Sequence, residues 1–329
     1  MRTERFFLWL CAALLIAAPA LAQQPSFRLP AACVLGETCW IINYVDADPE
    51  KDKAADFRCG ALTYDDHNGT DLGLADIVSM EMGVDVLAAA PGKVLRVRDG
   101  TEDKPVTEEE RQQLLAEDKG CGNGVFIDHG GGWQTIYCHM KKDSLKVKPG
   151  AQVKAGDALG LIGMSGIAEF PHVHLGVFKD GKTIDPFTGH GEEAGCGKEG
   201  VSLWDAAAAP EYEPVAVYAA GFKDGVPDFE AVKIDAKGAE HLPPSVTALT
   251  FWATIYGAAL DDRIVMEITG PAGESFAKRE IVQEKTRAQQ FYFVGRKTQD
   301  GLPPGTYTGH IRLERGAVSK EETRTLLVR

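Results

Sequence analysis

One stretch decides the fold of this chain: Phe170-Pro171-His172-Val173-His174-Leu175-Gly176-Val177. Successive side chains of a strand point to opposite faces, so His172 and His174 share one face and Val173 lies on the other. Two imidazoles on one face can serve one metal site, one as ligand and the other as proton carrier or hydrogen-bond donor. A lone His-x-His pair is equally compatible with coincidence or with a surface strand. The segments around it therefore decide its meaning.

Further candidate ligands lie upstream in two separate segments. The segment His67-Asn68-Gly69-Thr70-Asp71 has a histidine and an aspartate among turn residues, and Tyr137-Cys138-His139 ends a strand-like run. A catalytic zinc usually has three protein ligands from His, Asp or Glu and keeps a fourth position for water. A β scaffold can bring such segments together. The candidates for a metal site are His67, Asp71, His139, His172 and His174.

Other catalytic motifs are absent from the sequence. It contains no His-Glu-x-x-His zinc helix and no phosphate-binding Gly-x-x-x-x-Gly-Lys loop. It also lacks the Gly-x-Ser-x-Gly elbow of serine hydrolases, since Met164-Ser165-Gly166 has no first glycine in register.

Residues 60–190 read as a run of short strands with glycine-rich turns, which predicts an all-β domain. Lys93–Arg98 alternates as a strand does, and two strands flank Gly130-Gly131-Gly132 as in a hairpin. One helix interrupts the strands, because Thr107 can cap the helix formers that follow and Glu110 stands at the third helical position. We expect a solvated surface helix there; a wall of a substrate groove is the alternative.

The N-terminus has the pattern of a signal peptide, with Arg2 and Arg5 before an apolar run that is too short to span a bilayer. Ala20-Leu21-Ala22 fits a cleavage site, so we predict a signal peptide at 1–22 and export to the periplasm or the medium. Leu10 before Cys11 is wrong for a lipoprotein signal. No other stretch is apolar enough to be a membrane helix.

Cleavage would leave six cysteines, all before residue 197. An even number in an exported protein indicates disulfides, and the sequence alone leaves fifteen pairings open. We expect Cys33–Cys39 in a local loop, Cys121–Cys138 across a hairpin, and Cys59–Cys196 as the remaining pair. A zinc-thiolate site is the competing interpretation, but there is no Cys-x-x-Cys. The segment 23–59 is predicted to be irregular and disulfide-tied, with a strand at Trp40–Tyr44.

The formal net charge is −13 for the whole chain and −14 after removal of residues 1–22. This charge argues against nucleic acid as a partner, because phosphate binding requires clustered Lys and Arg.

The C-terminal part lacks cysteines and any cluster of ligands or nucleophiles. Residues 191–213 are rich in Gly, Ala and Glu and read as a linker, and residues 214–329 predict a β-sandwich, immunoglobulin-like, whose partner the sequence leaves unknown. His241 and His310 stand alone there, and His310 is expected at a surface or edge. The expected strands are 215–218, 229–234, 246–256, 263–269, 276–282, 289–294, 306–313 and 323–328.

The three histidine segments, in this order, resemble the motifs of the lysostaphin/LytM-like zinc metallopeptidases. The flanks are similar as well: Ala88–Val94, Gly122–Gly130, Val147–Asp157 and Ile184-Asp185-Pro186. The resemblance covers roughly residues 60–187. It implies the fold of that family, a LytM-like antiparallel β peptidase domain, in a chain that is mainly β.

The resemblance also implies residue roles. His67, Asp71 and His174 would bind Zn²⁺, while His139 and His172 would flank the attacking water, orient or deprotonate it and hydrogen-bond the developing oxyanion. The implied reaction is hydrolysis of peptide bonds in peptidoglycan stem peptides or cross-bridges. His129 also lies in a family-like position, and we interpret it as a hairpin-end residue without a metal role.

The chain departs from the family pattern beside the His-x-His pair. Many relatives have Thr-Gly before the Pro-His-x-His and an aromatic residue after it, whereas this chain has Glu169-Phe170 and Leu175-Gly176. These positions bear on cleavage preference rather than on the zinc site.

Two alternatives to a cell-wall endopeptidase remain open at this point. One is a catalytically inactive module of the same fold that binds cell wall or activates a partner hydrolase; such modules typically lose metal ligands, and all five polar positions are intact in this chain. The other is a secreted peptidase that acts on proteins in general.

Overall fold

The computed structural model describes residues 24–329, and the predicted signal peptide lies outside them. The predicted mainly β architecture is confirmed, with most elements being strands. Within residues 24–329 there is no helix long and apolar enough to cross a membrane.

The first part of the chain contains ten strands and two helices. Eight of the strands form one sheet in the order β1-β2-β9-β6-β5-β4-β7, with β10 paired to β9, and β3 pairs with β8. Their bounds are β1 Trp40–Asn43, β2 Thr70–Gly73, α1 Ile77–Met82, β3 Asp85–Leu87, β4 Gly92–Arg98, α2 Glu108–Ala116, β5 Asn123–Gly130, β6 Trp133–Met140, β7 Gln152–Val153, β8 Ala158–Leu161, β9 His172–Lys179 and β10 Lys182–Thr183.

The predicted hairpin is present as β5 and β6. Gly130, Gly131 and Gly132 all have positive φ, between 59° and 82°, which glycine adopts without the cost that a Cβ imposes. The strand β9 lies between β2 and β6 and pairs antiparallel with both. The His-x-His strand is therefore in the middle of the sheet.

The predicted helix is α2. The Thr107 side chain accepts from the Glu110 amide and the Glu110 carboxylate accepts from the Thr107 amide, so the capping box is complete. No residue of α2 is buried, as expected for a solvated surface element.

All three predicted disulfides are present: Cys33–Cys39, Cys59–Cys196 and Cys121–Cys138. The bond between Cys59 and Cys196 joins the N-terminal segment to the stretch 191–213. That stretch contains the short 3₁₀ turn Glu192–Ala194, and Leu203 and Trp204 are buried in the core of the first part of the chain. Residues 191–213 thus pack against this core along part of their length.

The second part of the chain forms two sheets around a common apolar core. One has the order β11-β13-β16 and the other β12-β18-β17-β14-β15. The bounds are β11 Ala216–Asp224, α3 Phe229–Ile234, β12 His241–Leu242, β13 Ala248–Ala258, β14 Arg263–Thr269, β15 Ser275–Val282, β16 Arg287–Lys297, β17 Gly305–Arg315 and β18 Val318–Val328. Two sheets facing one core are compatible with the predicted sandwich, whose immunoglobulin-like type stays a prediction.

The predicted strand at 229–234 is wrong, because Phe229–Ile234 is the helix α3. The Asp228 side chain accepts from the Glu230 amide and caps the helix. Phe229 and Val232, three positions apart, both pack on the three-stranded sheet. This is helical spacing, which a short apolar run does not distinguish from a strand.

A third apolar cluster joins the two parts. In β1 the side chains alternate, so Ile41 faces the core of the first part while Trp40 and Ile42 pack against Tyr218 and Trp252 of the three-stranded sheet. A polar contact strengthens the junction, since the Asp76 carboxylate caps α1 and also accepts from the Ala236 amide at 2.6 Å.

Candidate metal and histidine site

The pairing of β2 with β9 brings two candidate residues face to face. Asp71 is the direct partner of His174 in the antiparallel register, and side chains of directly opposed residues lie on the same face. On the other face, Leu72 and Val173 are opposed and fully buried in the core. The alternation predicted for His172-Val173-His174 is therefore present.

His67 completes a group of three that could hold a metal ion. One ligand atom each of His67, Asp71 and His174 lies within 4.8 Å of the others, and all three residues are buried. The Asp71 carboxylate lies 3.1 Å from Nε2 of His67 and 2.8 Å from Nδ1 of His174. These are the residues that the family resemblance assigned to the metal.

Neighbouring polar groups fix the orientation of this group. Nδ1 of His67 lies 2.6 Å from the carbonyl oxygen of Tyr44, and a carbonyl only accepts, so in the neutral ring Nδ1 carries the proton and Nε2 turns its lone pair to the site. The Asn43 amide donates to Asp71 Oδ2 at 2.9 Å. Such outer contacts hold metal ligands in place.

Gly69 makes room for the His174 ring. A Cβ at residue 69 would lie 2.4 Å from Nε2 of His174 and 2.7 Å from the carbonyl oxygen of Leu175. Because no side chain fits in this space, the loop between His67 and Asp71 requires glycine at this position.

His172 lies on the same strand face, beside the group of three. Its Nδ1 donates to the carbonyl oxygen of Phe170 at 2.9 Å, so its Nε2 is unprotonated when the ring is neutral and lies 3.9 Å from Asp71 Oδ1.

His139 reaches the site through an irregularity of its strand. Cys138 pairs with His174, so regular alternation would send His139 to the opposite face. A bulge between β5 and β6 and a φ of 60° at His139 break the alternation. Its ring centre lies 4.6 Å from that of His172. Its Nδ1 donates to the carbonyl oxygen of Ser165 at 2.8 Å.

Burial and charge shift the pKa values of the first group. Burial alone would raise the pKa of Asp71, but the adjacent His67, His172 and His174 outweigh it and hold the pKa well below its usual value. Burial opposes a charge on His67 as well, yet Asp71 raises its pKa on balance. The carboxylate therefore stays ionised as a ligand must.

The pKa values of the two other histidines are lowered, in contrast to that of His67. Burial, and then the neighbouring His172 and His174, put the pKa of His139 well below its usual value. Burial also lowers the pKa of His172, against the pull of Asp71. Both rings are therefore neutral near pH 7, with Nε2 able to accept a proton.

Three contacts around the site had no signal in the sequence: the side chain of Asn43, the carbonyl of Tyr44 and the carbonyl of Ser165. Asn43 and Tyr44 lie in a predicted strand, but only the pairing of that strand with β2 brings them to Asp71 and His67. The exposed Tyr64 also packs on His67, with ring centres 4.5 Å apart.

The remaining predicted histidines lie elsewhere. His129 is at the end of β5, where its ring contacts the Pro91 carbonyl and the Thr135 hydroxyl. His310 lies on β17, inside its sheet, and its side chain is at the surface as expected, 3.4 Å from Glu321.

Residues 65–186 match peptidase family M23. Curated relatives include an uncharacterized metalloprotease of Haemophilus influenzae, 32% identical over 106 residues, which are 32% of this chain and 20% of that protein. Peptidoglycan DD-endopeptidase ShyA of Vibrio cholerae is 29% identical over 119 residues, which are 36% of this chain and 22% of that protein. The matched region thus spans about a fifth of each relative.

Solved structures that this chain matches include the catalytic domain of the M23 protein EnpA from Enterococcus faecalis, 24% identical, with a TM-score of 0.29 over 48% of this chain and 87% of that one. The catalytic domain of lysostaphin from Staphylococcus simulans is 24% identical, with a TM-score of 0.26 over 37% of this chain and 77% of that one.

Proposed function

We propose that the LytM/lysostaphin-like domain of peptidase family M23 within this chain is an active zinc metalloendopeptidase that hydrolyses peptide bonds of peptidoglycan. The observation that carries the proposal is the convergence of five polar side chains from four separate strands or loops on one buried face. We take the domain to be residues 60–190, after the disulfide-tied segment 23–59 and before the linker 191–213 and the sandwich 214–329.

The donor set fits zinc. Two imidazole nitrogens and one carboxylate oxygen converge within 4.8 Å, and three such ligands are typical of catalytic zinc sites. His67, Asp71 and His174 would hold the ion. When bound, zinc supplies a Lewis acid that polarises the scissile carbonyl and lowers the pKa of a water to about 7.

His139 and His172 would handle the proton. Each uses Nδ1–H to donate to a backbone carbonyl, which leaves Nε2 as the acceptor toward the site. Their lowered pKa values keep both rings neutral at pH 7, so either ring can take a proton from the attacking water. The ring that has gained the proton can then donate a hydrogen bond to the oxyanion.

The substrate class is taken from the relatives. ShyA is named a peptidoglycan DD-endopeptidase, and Mpg of Neisseria meningitidis, 31% identical over 67 residues, is named a DD-carboxypeptidase/endopeptidase. Three disulfides are compatible with an oxidising compartment, which supports export to the periplasm or the medium.

The test is metal analysis together with digestion of purified peptidoglycan, with mass spectrometry of the released muropeptides. The zinc-loaded protein should release cross-link or stem-peptide products, and His174→Ala and His139→Ala should not. His310→Ala, which changes an exposed histidine of the sandwich, is the matched control and should keep full activity.

Two outcomes would contradict the proposal. Stoichiometric zinc without cleavage of any cell-wall peptide would favour a binding module instead. Cleavage of casein but not of peptidoglycan would favour a general secreted peptidase.

A further inference from the structure

A cavity of about 210 Å³ lies at the junction of the two parts of the chain, beside the histidine site. An apolar cavity of about 150 Å³ can hold benzene, so this one has room for an amino-acid side chain. Both parts contribute to its walls, which are mainly apolar and include Ala75, Ile77, Met164, Phe170, Tyr256 and Gln289.

Two wall residues of the cavity, Phe170 and Met164, are adjacent to groups that orient the catalytic histidines. Phe170 supplies the carbonyl that orients His172, and its ring lies 5.0 Å from the His172 ring and 5.8 Å from Tyr256 of the sandwich. Met164 directly precedes Ser165, whose carbonyl orients His139. One wall of the cavity therefore packs against the His172 ring.

The rim of the cavity carries charge. Glu169, Glu230 and Lys233 line it, and Lys233 is engaged by Glu230 at 2.6 Å. Glu169 is exposed and makes no ion pair with any residue of the described range 24–329. The rim thus has one uncompensated negative charge, that of Glu169.

A larger cavity, of about 500 Å³, lies between the N-terminal segment and β18, around Leu29, Trp40 and Lys320. None of the five residues of the histidine site lines it, so it offers no comparable link to the chemistry.

We propose that the junction cavity is a substrate subsite for an aliphatic side chain that ends in an ammonium group, with Glu169 as the partner of that group. The inference rests on the proposed peptidase function and adds the substrate class. Apolar walls bury the methylenes of such a side chain while its charged end stays at the wet rim, as lysine side chains do at protein surfaces. A side chain that ends in a carboxylate would place a like charge opposite Glu169. One that ends in an amide would give Glu169 a weaker, uncharged partner.

Glu169 and Phe170 are two of the four residues at which this chain departs from the family pattern beside its His-x-His pair, and both line the cavity. Tyr256 and Gln289 come from the sandwich, so this subsite exists only when both parts of the chain are present. The C-terminal part would accordingly help to select the substrate.

The experiment starts from a peptide that the muropeptide digestion shows to be cleaved. Variants of this peptide are synthesised with lysine or with norleucine at the residue before the scissile bond, and likewise at the residue after it. These two side chains share the aliphatic stem and differ in the ammonium group. For the position that enters the cavity, kcat/KM of the full-length protein should be roughly fivefold higher with lysine, as expected for one partly exposed ion pair. Glu169→Gln should remove this preference and keep zinc bound.

Glu280→Gln is the matched control, because it removes one exposed carboxylate on β15, an edge strand of the other sheet of the sandwich. It should retain the preference for lysine. As a second measurement, calorimetric titration of the metal-free protein with the same two peptides should show the same ratio in Kd, independent of turnover.

Equal kcat/KM values for lysine and norleucine at both positions, or a preference that survives in Glu169→Gln, would overturn the subsite while leaving the peptidase proposal intact. A zinc-loaded protein that cleaves no peptide would contradict the peptidase proposal instead. In that case binding decides the subsite: equal Kd values for the two peptides would overturn it, and a ratio lost in Glu169→Gln would support it.

Discussion

His172 and His174 are two positions apart on one strand, yet their surroundings give them different tasks. Nδ1 of His174 lies 2.8 Å from Asp71, inside the group that could hold a metal. Nδ1 of His172 is engaged with the Phe170 carbonyl, and its Nε2 is 3.9 Å from the same carboxylate. We infer that one is a ligand and the other a proton carrier.

Substitution of these two histidines should therefore separate metal binding from turnover. His174→Ala should lose zinc and activity together, whereas His172→Ala should keep zinc and lose activity by about 10²–10⁴-fold, the usual contribution of a general acid or base. Zinc is measured by atomic emission after dialysis, and activity by muropeptide release. Equal loss of zinc in both variants would refute this division of roles.

Asn43 supports the metal group from outside. Its amide donates to Asp71 Oδ2 at 2.9 Å within the buried site. Asn43→Ala should lower zinc affinity by about 10–100-fold, as loss of an outer contact to a ligand usually does, while the fold remains. Competition with a chelator measures the affinity, and circular dichroism checks the fold. An unchanged affinity would mean that the contact does not hold Asp71.

At the scale of elements, the turn after β10 contains a buried carboxyl group whose charge the fold disfavours. Burial raises the pKa of Asp185 to about 6, although the Phe187 amide and the Thr188 hydroxyl donate to it. Between the unfolded value of 3.8 and this value, the folded state binds more protons than the unfolded state. Stability therefore falls as pH rises through this window and stays lower above it.

Across that pH window the free energy of unfolding decreases by about 3 kcal/mol, which corresponds to a shift of about two pKa units. Asp185→Asn should remove most of this dependence, because an amide of the same shape can still accept from the Phe187 amide and donate to the Thr188 hydroxyl. Urea unfolding at several pH values between 4 and 7 measures the pH dependence of the free energy of unfolding.

Asp180→Asn, in the exposed turn between β9 and β10, is the control and should leave the slope unchanged. If Asp185→Asn keeps the wild-type slope, the pH dependence arises from other groups.

At the scale of the whole molecule, β13, the middle strand of the three-stranded sheet, is buried on both faces. Along β13, Phe251 faces the core between the two sheets, whereas the adjacent Trp252 faces Trp40 and Ile42 of the first part. The junction is thus built from side chains of the same strand that supports the sandwich.

Trp252→Ala should cost about 3–5 kcal/mol, as deletion of a buried large aromatic side chain usually does, and should uncouple the two parts. Differential scanning calorimetry should show one transition in the wild type and two in this variant. Phe251→Ala is the matched control, because it weakens the sandwich core without removing a junction side chain. A single transition in Trp252→Ala would argue against coupling through this cluster.

Much of this architecture follows from local signals in the sequence. Two-residue alternation predicts β4, β5, β6 and most strands of the sandwich, glycine runs predict the hairpin, and Thr107 with Glu110 predicts the start of α2. Each of these features depends on neighbours within a few residues, which is why the sequence suffices. The short apolar run Phe229–Ile234 was misassigned because six residues do not distinguish a strand from one and a half helical turns.

By itself, the sequence also predicted five polar residues that the structure places close together, because their order resembles a known family and because a strand sends alternate residues to one face. Only the tertiary structure decided what surrounds them. Asn43 and Tyr44 reach the site through the pairing of β1 with β2. His139 reaches it through a bulge in its strand. The cavity wall beside Phe170 comes from a sandwich strand more than eighty residues away. Such contacts depend on the register between distant segments, and no pattern within either segment records that register.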